Sequence, residues 1–178
     1  MPRFDDRNSL LLIAYELVAF VLIASFLYVR GWRLGDFDLR ASWLGFFVGA
    51  LLFGGTLILH IAVWDLFAGE PAARSFMAEM AAQARVSLPV AVMLSTVNGA
   101  YEEIFLTGYL IKALQAGGAP FAIGVSALIR VLTHVYQGPL GALSVLSFGL
   151  VLTLFYWRYR QLWPVISAHA IADFMAFA

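Results

Sequence analysis

Six long apolar runs dominate this sequence of 178 residues. They cover residues 9–29, 41–66, 88–114, 121–136, 140–157 and 162–177. A helix needs roughly 20 apolar residues to cross a hydrocarbon core of about 30 Å. Within lipid, a spanning segment must also satisfy its own backbone hydrogen bonds. The pattern therefore predicts an all-α, polytopic transmembrane helical bundle of about six spans, folded as a single transmembrane domain over residues 1–178.

Charged side chains are too few to cover a water-facing surface. They make up 12% of the chain, against 62% apolar residues, whereas soluble domains are about a quarter charged. Eleven basic and eleven acidic residues balance, so the composition predicts no nucleic-acid partner. The chain has no cysteine, which excludes disulfides and a thiol nucleophile. We expect membrane lipid to surround this protein.

Residues 67–86 interrupt the apolar pattern between the second and third runs. Here Gly69 and Pro71 precede a stretch in which charged residues alternate with apolar ones. We predict a loop that leads into an amphipathic interfacial helix before the third span. The basic residues weakly predict how the protein is oriented in the membrane. Six of them lie in or beside the odd-numbered loops (the first, third and fifth), and four lie in the N-terminus and the second loop. The odd loops are therefore predicted to face the cytoplasm.

Ionisable side chains inside or beside the apolar runs are the candidates for function. They are Glu16, His60, Asp65, Glu102, Glu103, Arg130, His134, His169 and Asp173. A charge at membrane depth costs at least about 2.5–3.5 kcal/mol on insertion scales, so such residues mark functional sites by default. The last six of them all lie within residues 88–177. We therefore expect this half to be the catalytic core.

The spacing of these six residues predicts three polar helix faces. Arg130 and His134 are four residues apart, as are His169 and Asp173, and residues four apart share one face of a helix. The adjacent Glu102-Glu103 pair points in two directions about 100° apart, so the two glutamates must have different roles. If the three faces converge, a carboxylate and a histidine can activate a water while proton donors stabilise an oxyanion.

Purely structural interpretations remain open for the same residues. Glu103 and Arg130 could form a buried ion pair that only locks two helices together. His134 could be a hydrogen-bonded core histidine, and His169 with Asp173 could bond helices to each other. The sequence contains no G-x-S-x-G motif and no H-E-x-x-H motif, so nothing in it predicts a serine hydrolase or a zincin.

The three polar pairs together resemble the motifs of a known family. Residues 102–108 read EEIFLTG, which is similar to the E-E-x-x-x-R motif of the CAAX protease and bacteriocin-processing (CPBP) family. These intramembrane glutamate-type endopeptidases include the type II CAAX prenyl endopeptidases. Residues 130–134, RVLTH, stand in place of the motif F-x-x-x-H, and residues 169–173, HAIAD, resemble the third motif, H-x-x-x-N/D. The motifs follow in the family's order, each in its own apolar run.

The resemblance implies an intramembrane endopeptidase, a hydrolase that needs no cofactor. Glu102 would be the general base that activates water together with His134, and His169 and Asp173 would stabilise the oxyanion. Asp173 stands where many members have Asn, so its carboxyl must be protonated or must orient His169. The implied substrate is a membrane-anchored or lipid-modified peptide. The implied location is an integral position in a bacterial cell membrane.

Two positions depart from the family motifs. Thr107 replaces the Arg of the first motif, and Arg130 replaces the Phe of the second. We hypothesise that the changes compensate, because the guanidinium lost from one helix returns from the next as a supporting ion pair with Glu103. The chain is also short for this family, which leaves an oligomer open.

Three other functions stay open. Glu102, His134, His169 and Asp173 offer enough nitrogen and oxygen ligands for zinc, which would make a zinc-dependent intramembrane protease. Intramembrane Glu, His and Arg chains also relay protons in proton-coupled transporters, although we find no internal repeat of the kind transporters often show. A non-catalytic membrane scaffold is the third, because Thr107 removes a family arginine.

Overall fold

The protein is described by a computed structural model over residues 5–66 and 85–177. Within these ranges it forms helices α1 (Asp6–Val29), α2 (Trp43–Leu66), α3 (Leu88–Glu102), α4 (Leu110–Leu114), α5 (Ala119–His134), α6 (Gly138–Tyr159) and α7 (Leu162–Phe177). A π-helix, Glu103–Tyr109, joins α3 to α4. Short 3₁₀ turns lie at Leu34–Phe37, Gln115–Gly117 and Val135–Gln137. The described residues contain no strand, which confirms the all-α prediction for them.

Three helical stretches in the described ranges are long and apolar enough to cross a membrane. They are Asp6–Val29, Trp43–Ala62 and Ala119–Tyr159, and the last contains both α5 and α6 with the turn between them. Many large apolar side chains on α1 and α2 point outward, among them Val18, Leu22, Leu44 and Leu51, as lipid-facing surfaces do. The count of six spans stays a prediction. The predicted interfacial helix falls mostly on residues 67–84, which lie outside the described ranges.

Local sequence signals set where the helices begin and end. Asp5 caps α1, because its Oδ1 accepts a hydrogen bond from the backbone N–H of Asn8 at 2.8 Å. Prolines occupy the first turns of α3, α5 and α6, where the missing N–H costs no hydrogen bond. Gly138 has a φ of 77°, which lets the chain reverse between α5 and α6 without strain.

Helix α7 lies at the centre of the bundle, and glycines let its neighbours approach closely. Val165 and Ala168 of α7 are fully buried. A Cβ added at Gly99 of α3 would stand 2.9 Å from the backbone nitrogen of Ala170. On the other side of α7, a Cβ at Gly49 of α2 would stand 2.6 Å from the carbonyl oxygen of Pro164. The α3–α7 contact brings Glu103 beside His169.

The loop between α1 and α2 ties the N-terminal helices to the C-terminal half. Asp38 forms an ion pair with Lys112 at 2.7 Å and accepts a hydrogen bond from the Tyr156 hydroxyl at 3.4 Å. Its carbonyl oxygen accepts from the backbone N–H of Leu162, and Phe37 packs against Gly108. These contacts place the C-terminal ends of α1, α4 and α6 at the same end of the bundle.

Candidate active site

Glu103 is the centre of a buried polar cluster. Its side chain is fully buried, and its Oε1 lies 2.8 Å from Arg130 Nη1 and 2.6 Å from His169 Nδ1. Its Oε2 accepts hydrogen bonds from Arg130 Nη2 at 3.0 Å and from the Thr107 hydroxyl at 2.6 Å. Both carboxylate oxygens are therefore fully used by the protein, and three helical segments meet at one side chain.

Arg130 reaches Glu103 from α5 in the two-pronged geometry that favours Arg–carboxylate pairs. The structure thus places Arg130 against the carboxylate that the sequence analysis assigns to it. Its Nη1 also lies 3.4 Å from Glu102 Oε2. Its stem packs on Gly149 of α6, where an added Cβ would overlap the Arg130 Cδ. The Nε of Arg130 is buried and has no hydrogen-bond partner among the described residues.

Glu102 turns one carboxylate oxygen toward His134 and the other toward Arg130. Glu102 Oε1 lies 3.8 Å from His134 Nε2, and both side chains are about 15% exposed. His134 Nδ1 lies 2.9 Å from the carbonyl oxygen of Arg130. A carbonyl only accepts hydrogen bonds, so Nδ1 donates to it and Nε2 is the ring nitrogen that faces Glu102. The carboxylate and the imidazole therefore face each other, and both side chains are partly exposed.

His169 and Asp173 extend the cluster along α7. His169 donates from Nδ1 to Glu103, and its Nε2 lies 3.6 Å from Asp173 Oδ1. Asp173 Oδ2 accepts a hydrogen bond from Asn98 Nδ2 at 2.7 Å. The sequence analysis missed Asn98. Its spacing was a usable signal, because Asn98 precedes Glu102 by four residues and so shares its helix face.

The π-helix that begins at Glu103 separates the two glutamates. A π-helix closes its hydrogen bonds one residue later than an α-helix, and such segments occur frequently at functional sites. Glu102 is the last residue of α3 and Glu103 the first of the π-helix. Thr107, four residues on, stays near enough to donate to Glu103. The hydroxyl of Thr107 therefore occupies the place next to Glu103 from which the family motif would supply an arginine.

A further acidic residue lies near the site and comes from α1. Glu16 is 5% exposed, and its carboxyl is close enough to Glu102, Asp173 and His169 to interact with their charges. Glu16 has no second ionisable residue one helical turn away in the sequence. The spacing argument therefore did not group it with the motifs. The structure places His60 and Asp65 on α2, and Asp65 is exposed.

The described residues contain no group of three or more His, Asp or Glu side chains placed to hold one metal ion. Glu102 and His134 face each other, whereas His169 is turned toward Glu103. The zinc alternative stays a prediction that needs a measurement of metal content.

A comparison with protein families gives a match. The family model for type II CAAX prenyl endopeptidase Rce1-like proteins matches residues 84–175, a range that includes Glu102, Glu103, Arg130, His134, His169 and Asp173. Comparisons with curated proteins and with solved structures gave no match. The matched range is more than half of the chain and contains the whole cluster built on α3, α5 and α7. The chain therefore belongs to the Rce1-like family of type II CAAX prenyl endopeptidases, a family of membrane proteases.

Proposed function

We propose that this protein is an intramembrane endopeptidase of the glutamate type, which hydrolyses a peptide bond by a water activated by Glu102 and His134. The observation that supports this most is the 3.8 Å separation of Glu102 Oε1 and His134 Nε2. It is too long for a direct hydrogen bond, and it leaves a water able to contact both atoms. The proton of that water passes to Glu102 as its oxygen attacks the peptide carbonyl.

The buried cluster serves the second half of the reaction in this proposal. The oxyanion of the tetrahedral intermediate needs donors that are already in place. His169 lies between two carboxylates, with Glu103 at Nδ1 and Asp173 3.6 Å from Nε2. In this proposal the ring is an imidazolium, so that its Nε2–H is available to the oxyanion. Asp173, fixed by Asn98, orients this ring. Glu102 then returns its proton to the leaving amine. The Glu103–Arg130 pair positions both histidine-bearing helices.

The substrate proposed is a membrane-anchored or lipid-modified peptide. An apolar cleft of about 450 Å³ lies between α2, α3 and α7 and is lined by Phe46, Val92, Ile104, Ile166, Ala170 and Phe174, among others. Two of its lining residues, Ile104 and Ala170, are the chain neighbours of Glu103 and His169. Burial of an apolar chain gains about 0.8 kcal/mol for each CH₂. The cleft suits a lipid chain next to the peptide bond to be cut.

The arrangement in the membrane is part of the same proposal. We propose six spans in a bacterial cell membrane, with the segment 67–86 at the interface and with the reaction needing no cofactor. An oligomer is compatible with it, because the apolar outer faces of α1 and α2 could also meet a second copy. The glutamate-type mechanism and the zinc-dependent alternative use the same residues, so metal content must be measured directly.

The test is peptide cleavage by purified protein in liposomes. Three probes are compared: a prenylated CAAX peptide, a peptide with a transmembrane anchor, and a soluble peptide of the same reactive sequence. We expect the wild type to cut one or both membrane-bound probes, and Glu102→Gln to lose at least about 100-fold in rate, as removal of a general base does. Asp65→Asn, the same chemical change at an exposed site on α2, is the control. Activity removed by a chelator and restored by zinc would favour the metalloprotease; no cleavage of any probe would contradict the proposal.

A further inference from the structure

Glu16 carries the one buried carboxyl oxygen that has no hydrogen-bond partner in the described part of the chain. Both oxygens of Glu103 are bonded to Arg130 and its neighbours. Those of Glu102 face His134 and Arg130, and those of Asp173 face His169 and Asn98. Glu16 Oε2, in contrast, is buried and has no hydrogen-bond partner among the described residues. A buried acceptor left unbonded is costly, so a partner from outside the chain is expected.

The packing of α1 against α3 directs Glu16 toward the site. The two helices run side by side in the same direction. Asp6 accepts a hydrogen bond from the backbone N–H of Ser87 just before α3, and Phe20 packs against Phe105, in the π-helix after α3, with tilted rings 5.6 Å apart between centroids. Glu16 lies between these two contacts on α1, and Glu102 lies between them on the α3 side. Glu16 is also close enough to Glu102, Asp173 and His169 for their charges to act on its carboxyl, which agrees with this placement.

We propose that Glu16 is a substrate-binding residue, whose free carboxyl oxygen accepts a hydrogen bond from a backbone N–H of the bound peptide. This inference rests on the proposed function. A peptide at membrane depth exposes backbone N–H groups that water cannot satisfy, and the buried Oε2 of Glu16 has no partner among the described residues to compete with them. The attacking water has its own partners in Glu102 and His134. Glu16 lies outside the matched range 84–175, so this contact would be supplied by an element that the family model does not cover.

A neighbouring serine gives a matched control on the same helix face. Ser9 precedes Glu16 by seven residues, is also buried, and also has an unbonded oxygen. Two helical turns, about 10 Å, separate the two side chains. If unbonded polar atoms on this face affected only helix packing, Ser9→Ala and the Glu16 variants would alter the same property. If Glu16 binds substrate, only its variants change the KM.

The experiment measures the KM and kcat of the liposome-reconstituted protein with the prenylated CAAX peptide. We expect Glu16→Leu to raise the KM about 10- to 100-fold, the range for a hydrogen bond to a charged group, with kcat within about threefold. Glu16→Gln keeps an acceptor oxygen and should stay within about threefold of the wild-type KM, as should Ser9→Ala. Glu16→Asp keeps the charge but withdraws the carboxyl by one methylene, and should raise the KM even if Glu16→Leu fails to fold.

Two outcomes would overturn the inference about Glu16. One is a wild-type KM in both Glu16→Leu and Glu16→Asp, whatever happens to kcat. The other is equal peptide affinity of Glu102→Gln and of the double variant Glu102→Gln/Glu16→Asp, measured by fluorescence anisotropy of the labelled peptide. The second measurement needs no turnover. Failure of Glu16 to affect binding is therefore distinct from failure of the protease proposal, which would show as a wild-type protein that binds the peptide and does not cut it.

Discussion

Adjacent glutamates have opposite surroundings in this protein. Glu103 is completely enclosed and bonded to Arg130, His169 and Thr107, whereas Glu102 is partly exposed and faces His134 across 3.8 Å. A fully bonded carboxylate cannot take a proton from water without breaking those bonds. Glu103 is therefore suited to positioning, and Glu102 is the glutamate with room for a reactant.

Substitution of Glu103 should destabilise the protein. Glu103→Gln removes the charge that compensates Arg130, and breaking a buried pair from one side costs about 3–5 kcal/mol. We expect the free energy of unfolding in detergent micelles to fall by about that amount. Asp65→Asn should leave it within about 0.5 kcal/mol, because exposed substitutions away from special features rarely do more. Equal stabilities of the two variants would contradict the structural role of Glu103.

The departures from the family motifs at positions 107 and 130 allow a test of whether Arg130 compensates for the missing arginine at position 107. Thr107 and Arg130 both bond Glu103 Oε2, and they lie 3.4 Å apart. Arg130→Phe should abolish most cleavage because Glu103 loses its guanidinium. Adding Thr107→Arg should restore a substantial part, since the guanidinium then returns from the family's own position. A double variant no more active than Arg130→Phe alone would refute compensation.

At the scale of elements, the six apolar runs predicted the helices closely. The third run, 88–114, is one continuous helical segment in the structure, and the last run matches α7 (Leu162–Phe177). The π-helix at Glu103–Tyr109 could not be predicted, because hydrophobic periodicity over seven residues does not separate it from an α-helix. The i,i+4 pairs predicted the polar faces, yet they could not show which carboxylate contacts which base, since that depends on how α5 and α7 are rotated against α3.

Gly149 on α6 is predicted to be necessary for the position of Arg130. An added Cβ would overlap Arg130 Cδ and stand 2.6 Å from its Nε, and overpacking of this kind costs about 1–3 kcal/mol. We expect Gly149→Ala to lower both the thermal stability and the cleavage rate. Gly124→Ala on α5 is the control, because nothing lies within 4 Å of its Cβ position. Similar effects of the two substitutions would argue against the contact.

At the scale of the whole molecule, the basic residues gather at one end of the bundle. Arg30, Arg33, Arg40, Lys112, Arg158 and Arg160 flank the end joined by Asp38, whereas the described residues of the opposite end contain Arg7 and Arg85. The two N-terminal helices pack on the part of the chain that matches the family model, residues 84–175. Helix α1 packs on α3 and carries Glu16, and α2 packs on α7. Neither contribution was evident from the motifs, which lie in the C-terminal half alone.

This asymmetry predicts that the end with Arg158 faces the cytoplasm. The chain has no cysteine, so single cysteines can be introduced at the exposed Arg7 and Arg158. A membrane-impermeant maleimide added to intact cells should label Arg7→Cys but not Arg158→Cys. Permeabilised cells should show labelling of both, which controls for reactivity. The reverse pattern in intact cells would invert the topology.

Glu102 is proposed to activate the water that cuts a membrane-bound peptide. The most direct measurement compares the termini of membrane proteins and peptides in cells with the wild type, Glu102→Gln or Asp65→Asn at equal abundance. We predict new peptide ends that occur with the wild type and Asp65→Asn and are lost with Glu102→Gln. Identical ends in all three, with all three folded, would contradict the claim and favour a membrane scaffold or a proton-coupled transporter.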